Sequence, residues 1–129
     1  MVIDSETPVR EALLRVLALD TVRAESDLAA GLASLQAQPA DVLIIDPGAP
    51  DVSGLAAIRQ IRRVHPAVRI IAISGGAQGG LESYRPDSIS TRAYLAACSA
   101  AGAHATLAKP FAAPQLRKMI DQVMAVPDA

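Results

Sequence analysis

The stretch Asp41-Val-Leu-Ile-Ile-Asp46 decides how this chain is interpreted, because a short apolar run ends there in a single carboxylate. Two other runs end in the same way: Val68-Arg-Ile-Ile-Ala-Ile-Ser74 closes on a hydroxyl, and Ala105-Thr-Leu-Ala-Lys109 closes on an ammonium. Runs that are short, β-branched and bounded by Pro or Gly are typical of buried parallel strands. Since ligands bind at the carboxyl ends of parallel strands, the three polar side chains are predicted to meet at one site.

The rest of the chain alternates strand signals with helix signals, which predicts βαβ units and a parallel sheet covered on both faces. Two further strands are expected at Met1–Asp4 and at residues 21–24. The stretch from Gly75 to Ser90 is rich in glycine and poor in apolar residues, so we expect a flexible loop there. The predicted class is α/β, with five parallel strands and five helices.

Cap residues predict where several helices begin and end. The first helix, whose apolar stripe includes Val9, Leu13 and Leu17, is expected to run to about Leu19. Ser26 is the predicted N-cap of the second helix, and Ser53 that of a third helix that runs to His65. Gly102 is expected at the C-terminal cap of the fourth helix.

The composition fits one globular domain of 129 residues, 51% of them hydrophobic. A net charge of -1 and scattered arginines argue against a nucleic-acid partner. No apolar run approaches the roughly 20 residues that span a bilayer, and no signal peptide is evident, so we expect a cytoplasmic protein without a membrane partner. The single cysteine, Cys98, excludes an internal disulfide and is expected to be a small buried residue.

Taken together, these motifs resemble the receiver domain of bacterial two-component response regulators, the CheY-like family. The resemblance covers nearly the whole chain and implies a flavodoxin-like, doubly wound fold, with a receiver domain over residues 1–125 and a short tail at 126–129. The matching pieces are Val2-Ile-Asp-Ser-Glu6 with Val9-Arg10, Asp41 to Asp46 followed by Pro50 and Gly54, Ile70-Ile-Ala-Ile-Ser74, and Leu107-Ala-Lys-Pro-Phe111. The sequence also looks like a subgroup with an enlarged loop after the fourth strand, whose members often stand alone without an output domain.

The resemblance implies a role for each residue that matches the family motif. Asp46 would be the phosphoacceptor, a carboxylate nucleophile that receives a phosphoryl group from a histidine kinase or a phosphotransfer protein. Lys109 would supply positive charge, and Ser74 would hydrogen-bond a phosphoryl oxygen and act in switching. Mg²⁺ would be the cofactor, held by Asp4, Asp46 and the backbone carbonyl of Gly48.

Two positions depart from the family pattern. The family usually has two adjacent carboxylates after the first strand, whereas this chain has Asp4 followed by Ser5, with Glu6 next as a further candidate metal ligand. Thr106 stands where many members carry an aromatic switch residue. These departures leave open an alternative, a receiver-like interaction domain with a degenerate metal site that works without phosphorylation.

Simpler interpretations compete with the site. Asp46 alone could be a turn cap, Lys109 a surface lysine, and Asp4 and Glu6 first-turn acids favoured by a helix dipole. An enzyme that uses the glycine-rich loop is disfavoured because the chain has few aromatic residues and no Gly-x-Ser-x-Gly motif. The favoured hypothesis is a single-domain response regulator that binds an unidentified downstream protein. Its only enzymatic activity would be Mg²⁺-dependent self-phosphorylation and autodephosphorylation.

Overall fold

The computed structural model describes residues 1–4, 7–17, 22–46, 52–74, 89–109 and 111–125. Strands and helices alternate strictly along these residues, as the sequence predicts. The elements are β1 (Val2–Ile3), α1 (Thr7–Val16), β2 (Ala24–Glu25), α2 (Leu28–Ala37), β3 (Val42–Ile45), α3 (Val52–Val64), β4 (Arg69–Ser74), α4 (Ile89–Ala101), β5 (Ala105–Ala108) and α5 (Ala113–Met124).

The five strands form one parallel sheet in the order β2-β1-β3-β4-β5. This order is that of a doubly wound, flavodoxin-like α/β fold, so the predicted fold class is confirmed. The strand order changes direction between β1 and β3, which are neighbours in the sheet. Strand β3 pairs with β4, and Val42 lies opposite Arg69. The predicted end of β4 at Ser74 and the predicted bounds of β5 are also confirmed.

Each face of the sheet buries its own apolar cluster, because successive strand residues point to opposite faces. Helices α2, α3 and α4 cover one face, and α1 and α5 cover the other. The first cluster includes Leu35, Ile45, Ile58, Ile61, Ile70 and Cys98. The second includes Leu13, Leu17, Ile44, Ile71, Ile73, Leu116 and Val123. The sheet is therefore packed against helices on both faces.

The turn after α4 confirms the predicted role of Gly102, whose φ of 128° lies in a region that side chains disfavour. The Ala103 N–H donates to the Cys98 carbonyl at 3.1 Å, and the Gly102 N–H donates to the Ser99 carbonyl at 3.1 Å. These two bonds form a Schellman motif, which ends the helix and directs the chain into β5.

The beginnings of three elements differ from the predictions. The N-cap of α2 is Asp27, not Ser26, because the Asp27 carboxylate accepts the Ala30 N–H at 2.8 Å. Strand β2 is Ala24–Glu25, which pair with Val2 and Ile3 of β1; of the predicted residues 21–24, residues 22 and 23 precede the strand and residue 21 lies outside the described residues. Helix α3 already includes Val52, so Ser53 lies inside it and is not its N-cap.

Other predicted bounds were too wide. Helix α1 ends at Val16, and the buried Leu17 after it donates its N–H to the Leu13 carbonyl; Leu19, near which the end was predicted, lies outside the described residues. Helix α3 ends at Val64, one residue before His65. Strand β1 comprises only Val2–Ile3, which pair with β2 on one side and with β3 on the other. The expected loop ends before Ser90, which belongs to α4, and residues 75–88 lie outside the described residues together with the predicted loop enlargement.

Among the described residues, no helix is both long enough and apolar enough to cross a bilayer.

Candidate functional site

Four polar residues meet where β1, β3, β4 and β5 end. Asp4 follows β1, Asp46 follows β3, Ser74 is the last residue of β4, and Lys109 follows β5. All four are buried, with exposed fractions of 9% or less. Buried polar and charged residues are uncommon unless they have partners, so their convergence at one edge of the sheet indicates a built site.

Backbone hydrogen bonds between neighbouring strands bring these four residues to the same end of the sheet. The Asp46 N–H donates to the Ile3 carbonyl at 2.9 Å, which aligns the ends of β3 and β1. The Lys109 N–H donates to the Ser74 carbonyl at 2.7 Å, which aligns the ends of β5 and β4. Parallel pairing therefore brings residues that are far apart in sequence to the same level of the sheet.

The ammonium of Lys109 bridges the two carboxylates. Its Nζ atom lies 2.5 Å from Oδ2 of Asp46, to which it donates a hydrogen bond, and 3.0 Å from Oδ2 of Asp4. With both carboxylates ionised, two negative charges share one positive charge in a buried place. Among these three described side chains the negative charge is therefore in excess, and a further cation would neutralise it.

The same cluster sets the protonation of Lys109. Burial by itself lowers the pKa of the ammonium, but the charge and hydrogen bond of Asp46, together with those of Asp4, outweigh this effect. The pKa of Lys109 is consequently raised above its ordinary value. Lys109 is thus a fixed positive charge at neutral pH and cannot act as a base.

The donor set fits Mg²⁺, which binds through one or two carboxylates together with water and phosphate oxygens. Asp4 and Asp46 are the described residues that could hold it, because both carboxylates reach the same Nζ atom. Within the described part of the chain, no group of three or more His, Cys, Asp or Glu residues converges. The other predicted contributors, Glu6 and the Gly48 carbonyl, and the substituted position Ser5 lie outside the described residues.

Thr106 lies in β5 and is half-buried. It pairs with Ala72 of β4, two residues before the level at which Ser74 pairs with Ala108. Thr106 therefore lies within the sheet, three residues before Lys109, and is not a member of the charged cluster at the strand ends. No aromatic ring is available at this position.

Arg10 is a further residue of the site to which the sequence pattern assigned no role. Its guanidinium donates to the Asp4 carbonyl at 2.7 Å and to the Thr7 hydroxyl at 3.0 Å. Arg10 lies in α1, so these bonds tie the first turn of the helix to the end of β1. The signal that could have found it is its position one turn into the helix that follows the acidic strand end.

Cys98 lies in α4 and is fully buried, as expected from the composition. Burial, together with the nearby negative charge of Asp46, raises the pKa of its thiol to about 11. A thiol of this kind is not a nucleophile at neutral pH. Cys98 therefore packs behind the site and does not take part in its chemistry.

Comparison with known proteins agrees with the geometry. A family model for the response regulator receiver domain matches residues 1–85 of the 129. The receiver domain of NtrX from Brucella abortus is 20% identical and superposes with a TM-score of 0.80 over 98% of each chain. A putative response regulator from Chloroflexus aurantiacus is 26% identical, with a TM-score of 0.77 over 97% of this chain and 95% of that one.

A longer NtrX chain from Brucella abortus, solved in complex with ADP, is 22% identical with a TM-score of 0.76. The match covers 95% of this chain but spans only 25% of that longer one. A search of curated proteins returned no match. The family match over most of the chain, the sheet order and the buried Asp4–Lys109–Asp46 cluster lead to one conclusion: this chain belongs to the response regulator receiver domain family of two-component systems.

Proposed function

We propose that this receiver domain accepts a phosphoryl group on Asp46 and signals through phosphorylation-dependent protein binding. The observation that supports this proposal most directly is the buried contact of 2.5 Å between the Lys109 ammonium and the Asp46 carboxylate. A carboxylate held at a strand end beside a permanent positive charge suits nucleophilic attack on an anionic group.

The proposed step is an in-line transfer from a phosphohistidine of a histidine kinase or a phosphotransfer protein. An oxygen of Asp46 attacks phosphorus, so an O–P bond forms while the N–P bond breaks and the electron pair returns to the imidazole. Lys109 neutralises the negative charge that gathers on the phosphoryl oxygens. The Ser74 hydroxyl then donates a hydrogen bond to one of these oxygens.

Asp4 and Asp46, with Gly48 and Glu6 as further candidates, would hold Mg²⁺. The bound ion supplies charge neutralisation to the phosphoryl oxygens. The role of Lys109 in this process is to keep the two carboxylates together and oriented before any ligand arrives.

We further propose that the domain extends over residues 1–125 with a tail at 126–129, and that the protein is a cytoplasmic, single-domain regulator. Thr106 and Ser74 would be the switch positions, and Thr106 would act without the bulk of an aromatic ring. The alternative, a domain that works without phosphorylation, is less well supported because Asp46, Lys109 and Ser74 are all buried at one site.

The test is incubation of the protein with acetyl phosphate and MgCl₂, followed by intact-mass measurement. We expect one phosphoryl adduct on the native chain and none on Asp46→Asn. Asp41→Asn is the matched control, since Asp41 is an exposed carboxylate at the opposite end of the same strand. The absence of an adduct on the native protein, or an adduct on Asp46→Asn, would refute the assignment.

A further inference from the structure

A second cluster of polar groups lies at the opposite end of the sheet from Asp46. Arg62, in the last turn of α3, places its Nη1 atom 3.2 Å from the Nε2 atom of His104. His104 directly precedes β5, whereas Lys109 directly follows that strand. The pair of Arg62 and His104 is therefore separated from the proposed phosphorylation site by the full length of β5.

The tautomer of His104 is fixed by the backbone of β4. The Ile70 N–H donates to Nδ1 of the ring at 3.0 Å, so Nδ1 must be the unprotonated nitrogen. Burial, followed by the charges of Arg62 and Arg69, lowers the pKa of His104, which keeps the imidazole neutral. Consequently the ring carries its single proton on Nε2 and presents an N–H donor to Arg62.

Two donors therefore face each other across 3.2 Å, the Nη1–H of Arg62 and the Nε2–H of His104. Neither can accept a hydrogen bond from the other. An oxygen atom placed beside both would accept from both, and a negatively charged oxygen would in addition neutralise the guanidinium. The arrangement is thus complementary to a carboxylate or a similar anionic group.

Arg62 is held in this position by its surroundings. Its aliphatic stem lies across Gly102, where a Cβ atom would come within 2.5 Å of Arg62 Cγ. Its Nη1 atom has a weak backbone acceptor, the Pro66 carbonyl at 3.5 Å. Within the described residues no carboxylate forms an ion pair with Arg62. Because the stem is already ordered, binding an anion would cost little side-chain entropy.

Two more arginines extend the positive surface. Arg59 and Arg63 are exposed, and Arg59 lies one helical turn from both Arg62 and Arg63, since residues three or four apart are neighbours on a helix. Like charges at this spacing disfavour the helix. The helix dipole offsets the repulsion between arginines in the last turn of α3. It does not explain why the guanidinium of Arg62 lies against the Nε2–H donor of His104.

We propose that Arg59, Arg62, Arg63 and His104, the Arg62–His104 surface, bind an acidic segment of a protein partner through its carboxylates. The surface extends over about one helical turn, which suits one or two carboxylates. Nucleic-acid binding relies on contacts to many phosphates along a longer basic surface. The net charge of the chain, -1, also favours a local docking contact over attraction of a polyanion.

The probe is a short fluorescein-labelled peptide that carries two adjacent glutamates and otherwise uncharged residues, titrated with the full chain at low ionic strength and followed by fluorescence polarisation. Arg62→Gln should weaken binding about tenfold, as expected for loss of a charge-assisted hydrogen bond. His104→Asn should weaken it severalfold, because Asn can still accept the Ile70 N–H but lacks the Nε2 donor. Arg15→Gln, which removes an exposed arginine from α1, is the matched charge control and should change binding less than twofold.

Three results would overturn the proposal. The first is no saturable binding of the peptide by the native chain. The second is an equal loss in Arg62→Gln and Arg15→Gln, which would mean that only net charge matters. The third is tighter binding of a single-stranded oligonucleotide or of anionic vesicles than of the peptide. Circular dichroism and phosphorylation by acetyl phosphate, both expected to be unchanged in Arg62→Gln, show that the variant is folded.

Discussion

The ammonium of Lys109 lies 2.5 Å from the carboxylate of Asp46, and both groups are almost completely buried. Asp4 is the second carboxylate on the same ammonium, at 3.0 Å. The proposed acceptor site thus already contains a cation in contact with Asp46, the proposed nucleophile. Removing a positive charge from this cluster and removing a negative charge should therefore have very different effects on stability.

Lys109→Met should lower the free energy of unfolding by about 3 kcal/mol, because it removes the ammonium that both buried carboxylates contact. Asp46→Asn should cost much less, since Lys109 keeps Asp4 as its partner. Urea denaturation at neutral pH measures both values. Added MgCl₂ should stabilise Lys109→Met more than the native protein, because the metal would replace the missing charge. Equal costs for the two variants would contradict this account.

Arg10→Gln should weaken Mg²⁺ binding severalfold while leaving the phosphorylation rate at saturating Mg²⁺ nearly unchanged. The physical reason is that Arg10 donates a hydrogen bond to the backbone carbonyl of Asp4 at 2.7 Å and so orients a proposed metal ligand, while the proposed phosphoryl group would lie on Asp46. A Mg²⁺ titration followed by thermal shift and by acetyl phosphate labelling separates the two effects. Arg15→Gln is the control on the same helix. A loss of rate that excess Mg²⁺ does not restore would argue against this role.

Gly31→Ala should destabilise the protein by about 1–3 kcal/mol, although alanine favours helices over glycine. A Cβ atom at position 31 would lie 2.2 Å from Cδ1 of Ile3, a fully buried residue that directly precedes Asp4. The double variant Gly31→Ala with Ile3→Val removes that methyl group and should recover part of the loss. Thermal unfolding of the four proteins of this cycle gives the coupling energy, and a value near zero would show that the contact relaxes freely.

His104 should make the protein less stable as the pH falls. Its pKa in the native state is lowered by burial and then by the charges of Arg62 and Arg69, whereas the unfolded side chain titrates near 6.5. Between these two values the unfolded chain binds a proton that the native chain does not. The neutral His104 side chain therefore contributes its full stabilisation above about pH 6.5. That stabilisation is lost as the pH falls from the unfolded-state pKa towards the lower native-state pKa. His104→Asn should show a shallower loss of thermal stability between about pH 7.5 and pH 5.

Much of the fold was predictable because its signals are local. The short β-branched runs before Asp46 and Ser74 identify buried strands whatever their neighbours are, and Gly102 marks a helix end because its backbone conformation disfavours side chains. The errors arose where two local signals were equivalent. Ser26 and Asp27 are both good N-caps, and only the direction in which the chain enters α2 places the Asp27 carboxylate on the Ala30 N–H.

The sequence by itself determined the alternation of strands and helices, and with it the convergence of Asp46, Ser74 and Lys109 at one edge of a parallel sheet. That much follows from periodicity and from the rule that parallel strands end together. Only the tertiary structure decided which atoms meet. The contacts of Lys109 with Asp4, of Arg10 with the Asp4 carbonyl, and of Arg62 with His104 join residues on different elements. Their distances depend on sheet register and helix packing, which no local pattern encodes.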